Sequence, residues 1–396
     1  MERLRTWSYQ NINRIGTGFK RYLQDIIKWD NRLIILVGAR GVGKTTLMLQ
    51  HIKENLPLNE EVIYVSLDDI FFAKNSLIEF AEEFAKRGGK HLFLDEVQKY
   101  KDWAREVKAI YDNYPDIKLV LSGSSAIELL QSEGDLSRRA LYYTLNGLSF
   151  REYLNYQYDH NLVPYSLNAL VENHLQLSLE ISGILKPIKA FEEYTKLGYY
   201  PYYKEDIDNY HRRLAQTINT VLEVDIPSVF SVDGGAVYKM KKLIALIAEM
   251  VPFKPNIKKL SQQVGISRDS LIRYLKYLEK ANIIHLLYST TKGISLLNKP
   301  EKIYLNNPNI GFALSSSSNT GSLRETFFIN QLSLDHEVKF SGVGDFIVDD
   351  QFTFEIGGAN KSKKQLEGIE NGWVVADNME ISVGNKIPLW LFGFVY

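Results

Sequence analysis

The pattern that decides the fold lies in residues 33–45, which read Leu33-Ile34-Ile35-Leu36-Val37-Gly38-Ala39-Arg40-Gly41-Val42-Gly43-Lys44-Thr45. An unbroken apolar run before a glycine is typical of a strand that is buried on both faces. A pattern of helical period follows, from Lys44 to about Glu54. The stretch therefore predicts a strand, a glycine-rich loop and a helix.

The loop in this stretch matches the pattern G-x-x-x-x-G-K-[ST], in the strand-to-helix context that the pattern requires. Gly41 and Gly43 let the backbone turn so that N–H groups and the positive end of the helix face a phosphate group. We expect Lys44 to reach the β- and γ-phosphate oxygens and the Thr45 hydroxyl to bind Mg²⁺. The predicted nucleotide-binding residues are Gly38, Ala39, Arg40, Gly41, Val42, Gly43, Lys44, Thr45 and Thr46.

Three further apolar runs lie at residues 62–65, 91–94 and 118–121, separated by stretches of helical spacing such as 76–87 and 103–114. Strands buried on both faces that alternate with helices are typical of a parallel sheet covered by helices. We therefore expect an α/β domain at residues 1–150.

Two carboxylates stand at the end of the run Leu92-Phe93-Leu94-Asp95-Glu96, which is a Walker B arrangement. In a P-loop fold this strand end abuts the phosphate site. Asp95 is expected to hold Mg²⁺, and Glu96 is expected to polarise an attacking water. The second carboxylate favours hydrolysis over transfer of phosphate to a hydroxyl. The alternative for Glu96 is that it caps the next helix.

Small hydroxyl residues follow the next strand, in Ser122-Gly123-Ser124-Ser125. Ser122, with Ser124 as the alternative, is predicted to contact the γ-phosphate or the attacking water, although Ser-Gly-Ser is also an ordinary turn. Arg139, which follows Arg138, is a candidate to complete the catalytic site of a neighbouring copy in a homo-oligomer. A surface arginine is the alternative.

These motifs together resemble those of the prokaryotic AAA+ ATPases that carry a carboxy-terminal domain of unknown function related to the restriction-endonuclease fold. The resemblance covers essentially the whole chain and rests on residues 38–45, 95–98 with Trp103, 122–125, Arg139, 148–152 and 198–201. It implies a P-loop AAA+ domain with a parallel sheet, ATPase activity, and ATP and Mg²⁺ as ligands.

A helix-turn-helix pattern lies at residues 257–278, where one helix ends at Gly265, Ser267 caps the next, and Leu271, Leu275 and Leu278 share its buried side. We expect a helical lid or linker at 151–235 and a winged-helix domain at 236–315. Residues 236–304 contain 13 Lys+Arg and 4 Asp+Glu, a net charge of +9. This charge predicts binding to double-stranded DNA, and the alternative is a lid or a surface for a protein partner.

The last part of the chain is acidic, with a net charge of −5 over residues 320–396. Glu325, Asp345 and Glu355 have the order of a PD-(D/E)xK nuclease core, and Asp345 and Glu355 are expected to share one Mg²⁺ in a vestigial site. The lysine expected two residues after Glu355 is Gly357. We therefore predict a small, inactive α+β nuclease-like domain at 316–396, joined by a linker at 315–319. An alternative cation would come from Lys361, Lys363 or Lys364.

The composition is that of an ordinary globular protein, with 45% hydrophobic and 24% charged residues and a formal net charge of zero. There is no Cys, so disulfides, thiolate zinc sites and cysteine nucleophiles are excluded. No apolar run reaches the roughly 18 residues of a membrane span. A soluble cytoplasmic protein without a membrane partner is the expectation.

The sequence thus predicts a Mg²⁺-dependent ATPase whose hydrolysis moves the winged-helix and nuclease-like domains against each other. One alternative is an ATP-gated DNA nuclease. Another is a regulator that binds DNA or a protein partner and uses ATP as a switch without significant turnover.

Overall fold

The computed structural model describes residues 1–123, 136, 138–230, 232–250, 253–289, 299–315 and 320–396. The chain divides into two units, Met1–Gly147 and Leu148–Tyr396. Of the sequence predictions, Ser124 and Ser125 and most of the serine-rich linker at 315–319 lie outside the described residues. Within the described part of the chain, no helix has the length and apolar character needed to cross a bilayer.

The first unit contains a five-stranded parallel sheet with the strand order β2-β3-β4-β1-β5. Its strands are β1 (Leu33–Val37), β2 (Val62–Ser66), β3 (His91–Asp95), β4 (Lys118–Ser122) and β5 (Leu141–Thr144). The first four confirm the predicted strands. The fifth was not predicted, because β5 is a short edge strand with half-exposed tyrosines in place of an apolar run.

Helices cover both faces of this sheet, as the continuous apolar strands require. They are α1 (Glu2–Arg14), α2 (Leu23–Ile26), α3 (Lys44–Asn55), α4 (Leu77–Lys86) and α5 (Trp103–Asn113), with 3₁₀ turns at Ile70–Ala73 and Val97–Lys99. The predicted helices at 44–54, 76–87 and 103–114 are confirmed. Helix α4 begins where Ser76 accepts a hydrogen bond from the Glu79 N–H at 3.2 Å, which is an N-cap.

The second unit begins with helices and ends in a mixed sheet. The helices are α6 (Phe150–Tyr158), α7 (Leu167–Ile184), α8 (Pro187–Leu197), α9 (Tyr210–Thr220), α10 (Ile226–Phe230), α11 (Gly234–Met250), α12 (Ile257–Val264), α13 (Arg268–Lys280), α14 (Pro308–Leu314) and α15 (Thr320–Leu332). Shorter helical turns lie at Pro201–Glu205, Val221–Asp225, Lys363–Leu366 and Leu389–Phe394.

The strands of the second unit form two sheets. The first is an antiparallel pair, β6 (Ile284–Leu287) and β7 (Lys302–Leu305). The second has the order β12-β11-β10-β9-β8 and consists of β8 (Val338–Phe340), β9 (Phe346–Val348), β10 (Phe352–Gly358), β11 (Gly372–Asp377) and β12 (Lys386–Pro388). Strands β8 to β10 pair antiparallel, and β10 to β12 pair parallel.

The segment at 148–152, part of the family resemblance, has a structural role in the second unit. Ser149 and Glu152 form a capping box at the start of α6. The buried Ser149 hydroxyl also donates to the Tyr396 carbonyl at 2.9 Å, and Arg151 Nε donates to the same oxygen at 2.9 Å. The Ser149 hydroxyl and Arg151 Nε are therefore hydrogen-bonded inside the unit.

Candidate nucleotide-binding site

The glycine-rich loop between β1 and α3 has the backbone that the motif predicts. Gly41 and Gly43 have φ angles of 86° and 100°, a left-handed conformation that other residues rarely adopt. Helix α3 begins immediately afterwards, at Lys44. Its first N–H groups have no partner within the helix and carry the positive end of the helix dipole, so the loop is built to bind an anion.

Lys44 lies across this loop. Its side chain is buried, and Nζ donates to the carbonyl oxygens of Gly38 at 2.8 Å and Ala39 at 2.9 Å. The ammonium group is therefore fixed beside the N–H groups of the same turn, where it adds a full positive charge to their partial ones.

Asp95, at the end of β3, joins this loop to the sheet. Its Oδ2 accepts from the Thr45 hydroxyl at 2.6 Å and from the Tyr64 hydroxyl at 2.7 Å. Its Oδ1 accepts from the Glu96 N–H at 3.0 Å and from the Ser122 hydroxyl. The carboxylate is buried, with 3% of Asp95 exposed, and these four donors support its charge.

Glu96 is less buried and has an unusual backbone. Its φ of 52° is in the left-handed region, where a residue with a side chain stores strain of about 1–2 kcal/mol. It occupies the N-cap position of the 3₁₀ turn Val97–Lys99 without making a side-chain cap bond. Instead Oε2 accepts from Gln98 Nε2 at 2.5 Å. The alternative of a structural cap is therefore wrong.

Ser122 and Arg139 have partners that the sequence did not predict. Ser122 ends the neighbouring strand β4 and is fully buried, and its hydroxyl donates to Asp95. Arg139 donates from Nε and Nη2 to the two carboxylate oxygens of Asp112, both at 3.0 Å. A contact of Ser122 with phosphate and a role of Arg139 in a neighbouring copy remain predictions.

Two residues of the site were missed. Tyr64, on β2, is the second donor to Asp95 Oδ2. Arg21 is buried, and it donates to Val42 O in the loop at 2.6 Å and to Asn146 O and Gly147 O at 2.8 and 2.9 Å. Tyr64 carries a hydroxyl in the middle of the apolar run at residues 62–65, and this could have marked it in the sequence. The sequence around Arg21 contains no feature that would have identified it as part of the site.

The acidic residues predicted near the carboxy terminus form ion pairs with lysines. Lys302 Nζ donates to Glu325 Oε2 at 2.9 Å and to Asp345 Oδ1 at 3.1 Å, and Lys361 forms an ion pair with Glu355. Burial, and then the Asp345 charge, raises the pKa of Glu355 despite this lysine. No group of three potential ligands able to hold a metal ion occurs among the described residues.

The lysine missing at position 357 has a substitute from further along the chain, because Lys361 lies beside Glu355. The Lys361 stem lies against Gly357, where a Cβ would come within 2.7 Å of it. A side chain at position 357 would thus compete with this stem. Of the three alternative lysines, Lys361 is the one that forms an ion pair with Glu355.

The predicted helix-turn-helix residues form the expected local structure. Helix α12 ends at Gly265 with φ 76°, and the Ser267 hydroxyl caps α13 by accepting from the Ser270 N–H at 3.1 Å. The outer side of α13 borders an open cavity with a volume of about 530 Å³, which forms a concave surface. It is lined by Arg268, Asp269, Ile272, Arg273, Lys276, Tyr277, Lys280 and Lys299.

The loop and the strand ends described above lie in a region of the chain that is similar to a known family. Residues 30–154 match the AAA domain family, and residues 188–321 match a domain of unknown function. The first match supports nucleotide binding and ATPase activity in general. The second match carries no assigned activity.

Two uncharacterised proteins of Methanocaldococcus jannaschii are similar in sequence. One is 25% identical over 97% of this chain and 90% of its own length. The other is 25% identical over 76% of this chain and 66% of its own length.

Solved structures resemble the chain at low identity. A Walker-type ATPase of Pyrococcus abyssi has a TM-score of 0.40 and 15% identity, over 75% of this chain and 95% of its own. AMPPCP-bound DnaA of Aquifex aeolicus has a TM-score of 0.27 and 17% identity, over 70% and 88%.

Proposed function

We propose that this protein is a Mg²⁺-dependent ATPase with its catalytic site in the first unit. The observation that carries the proposal is the 2.6 Å hydrogen bond from the Thr45 hydroxyl to Asp95. It brings a hydroxyl and a carboxylate together beside an anion-binding loop, and hard oxygen donors of this kind suit Mg²⁺. When bound, Mg²⁺ would neutralise charge that develops on the phosphates.

The other residues have separate roles in this proposal. The loop N–H groups and Lys44 hold the phosphates, and Ser122 orients Asp95. Glu96, whose carboxylate is not committed to a cap, accepts a proton from the water that attacks the γ-phosphorus as the bond to ADP breaks. We propose that the turnover of this site moves the winged-helix and nuclease-like parts of residues 148–396.

The test is phosphate release from ATP by the full chain, with Mg²⁺ and with excess EDTA, and with and without duplex DNA. Release that requires Mg²⁺ is the expected result. Stimulation by duplex DNA would connect turnover to the basic surface of α13. Absence of release under all of these conditions would contradict the proposed hydrolysis.

The second candidate function is binding of the duplex DNA backbone, in which we interpret α12, α13 and the β6–β7 pair as a winged helix. The observation that favours it is the set of cations at the concave surface. Among the described residues, Arg268, Arg273, Lys280 and Lys299 form no ion pair there. Cations without an ion-pair partner on the outer side of a second helix suit contacts with phosphates. Such contacts carry no sequence information.

We expect weak duplex binding that falls steeply as salt rises. Replacing Arg268, Arg273, Lys280 and Lys299 by Ala should reduce the slope of log affinity against log salt by about 3 to 4. Fluorescence anisotropy with a labelled duplex measures this. A control variant with Lys186, Lys189, Lys196 and Arg212 replaced by Ala removes four exposed cations from elsewhere in the unit. An equal reduction of the salt slope in both variants would show that duplex binding depends on the net charge of the chain and not on this surface.

We expect no DNA cleavage by the carboxy-terminal part, because its carboxylates are already paired. A divalent cation would have to displace Lys302 from Glu325 and Asp345. The measurement is nicking of a supercoiled plasmid with Mg²⁺ or Mn²⁺. Nicking that is lost in Asp345→Ala would establish the nuclease alternative, and its loss in Lys361→Ala would give that lysine a role in it.

A further inference from the structure

Tyr64 makes a contact that the roles above leave unexplained. Its hydroxyl donates to Asp95 Oδ2 at 2.7 Å, and this is the oxygen that also accepts from Thr45. Only 7% of Tyr64 is exposed. A carboxylate oxygen is an acceptor, so the phenol hydroxyl is the donor in this hydrogen bond.

The sheet places this hydroxyl by its register. Tyr64 pairs with Phe93 across β2 and β3, and Ser66 pairs with Asp95. Side chains two residues apart on a strand lie on the same face. Tyr64 and Asp95 are thus diagonal neighbours on one face, and a long aromatic side chain spans that distance.

The backbone of Tyr64 is also anchored. Its N–H donates to the hydroxyl of Ser8, a buried residue of α1, at 2.9 Å. Tyr64 is therefore fixed at its main chain by α1 and at its hydroxyl by Asp95. A donor held at both ends can fix the orientation of the carboxylate that accepts from it.

The Tyr64 hydroxyl is one of several donors that fix the Asp95 carboxylate. A carboxylate has about four lone-pair sites, and Asp95 accepts from four donors, two on each oxygen. Rotation about the terminal torsion of Asp is soft, so the donors set the carboxylate plane. Without the phenol, Oδ2 would keep Thr45 as its one donor, and the position of the Thr45 hydroxyl would be less well fixed.

We propose that Tyr64 is a positioning residue for Mg²⁺, acting through Asp95 on the Thr45 hydroxyl. The proposal rests on the proposed function, since it assumes that ATP and Mg²⁺ bind at the loop. It predicts that Tyr64 contributes to the gain in nucleotide affinity caused by Mg²⁺ and leaves metal-free nucleotide binding unchanged.

The test is the affinity of the full chain for a fluorescent ATP analogue, in EDTA and across a Mg²⁺ titration. In Tyr64→Phe we expect the affinity in EDTA to stay within about twofold of wild type. The gain caused by Mg²⁺ should fall roughly tenfold or more, since tenfold is about the lower end of the effect of one hydrogen bond to a charged group. If the folded variant keeps the full increase in nucleotide affinity caused by Mg²⁺, the proposal is overturned. A larger increase than in wild type would also overturn it, because it would mean that the phenol competes with the metal.

A matched control is Tyr100→Phe. The Tyr100 hydroxyl also donates to a carboxylate, Glu106 Oε1, at 2.9 Å in the same unit, but at a site away from Asp95. We expect this variant to bind nucleotide like wild type with and without Mg²⁺. An equal loss of the Mg²⁺-dependent gain in both variants would show a general effect of removing a tyrosine hydroxyl from this unit and would overturn the proposal.

A double-mutant cycle with Thr45→Ala tests the route of the effect. If Tyr64 acts through Thr45, Tyr64→Phe should cause no further loss of gain in the Thr45→Ala background, whereas additive losses would contradict that route. The binding measurement needs no turnover. A wild type that binds the Mg²⁺ nucleotide without hydrolysing it would end the proposed ATPase function and leave the Tyr64 result readable. A wild type that binds no nucleotide would overturn both.

Discussion

Replacing Lys44 by Ala is expected to abolish nucleotide binding at concentrations that saturate the wild type. The variant loses the full positive charge that lies beside the loop N–H groups. Removing one partner of a buried, hydrogen-bonded charge pair costs about 3–5 kcal/mol, or roughly 10²- to 10³-fold or more in affinity. Isothermal titration calorimetry with ATP and Mg²⁺ measures the effect.

The matched control for this variant is Lys53→Ala. Lys53 lies on the same helix, α3, but its Nζ donates to Asn13 O and Ile15 O at 2.9 and 2.7 Å, away from the loop. The same charge is thus removed from the same helix. We expect near wild-type binding by this control. Nucleotide binding by Lys44→Ala at wild-type affinity would contradict the assignment of the phosphate site.

Glu96→Gln is expected to bind ATP like the wild type and to lose turnover by about 10²- to 10⁴-fold, the usual contribution of a general base. The Gln amide has the shape of the Glu carboxylate, and the substitution leaves the backbone unchanged. The amide cannot accept a proton from water, however. Single-turnover phosphate release, with ATP binding measured in parallel, separates the two effects.

The control for this carboxylate is Glu106→Gln. Glu106 is a half-buried carboxylate of the same unit that accepts from Tyr100 and from the Ile78 N–H. It should keep its turnover. Hydrolysis by Glu96→Gln at close to the wild-type rate would remove Glu96 from the catalytic role.

The parts of the fold and site that sequence predicts are those encoded over short distances. The loop motif is one continuous segment, and β1 to β4 are apolar runs with clear ends, so their positions follow from local patterns. Asp95 and Thr45 meet because parallel strands and their following loops share one edge of the sheet. Topology alone therefore brings the two motifs together.

The residues that could not be predicted depend on contacts between distant segments. Arg21 reaches carbonyls that lie 125 and 126 residues away along the chain. Lys302 comes from β7, outside the segment in which a catalytic lysine was sought, and it forms ion pairs with Glu325 and Asp345, two acids that sequence order had assigned to a nuclease core. The spacing of residues within a short segment does not indicate partners that come from distant segments.

The Arg21 contacts also bear on the order in which the site is completed during synthesis. Arg21 and the loop at Val42 leave the ribosome well before Asn146 and Gly147, whose carbonyls take the other guanidinium nitrogen. At about 5–20 residues per second, the interval between Val42 and Asn146 is roughly 5–20 s. A nascent chain therefore contains the complete phosphate-binding motif for seconds before Arg21 can contact Asn146 and Gly147. The loop acquires the last contacts of Arg21 only after residue 147 has been made.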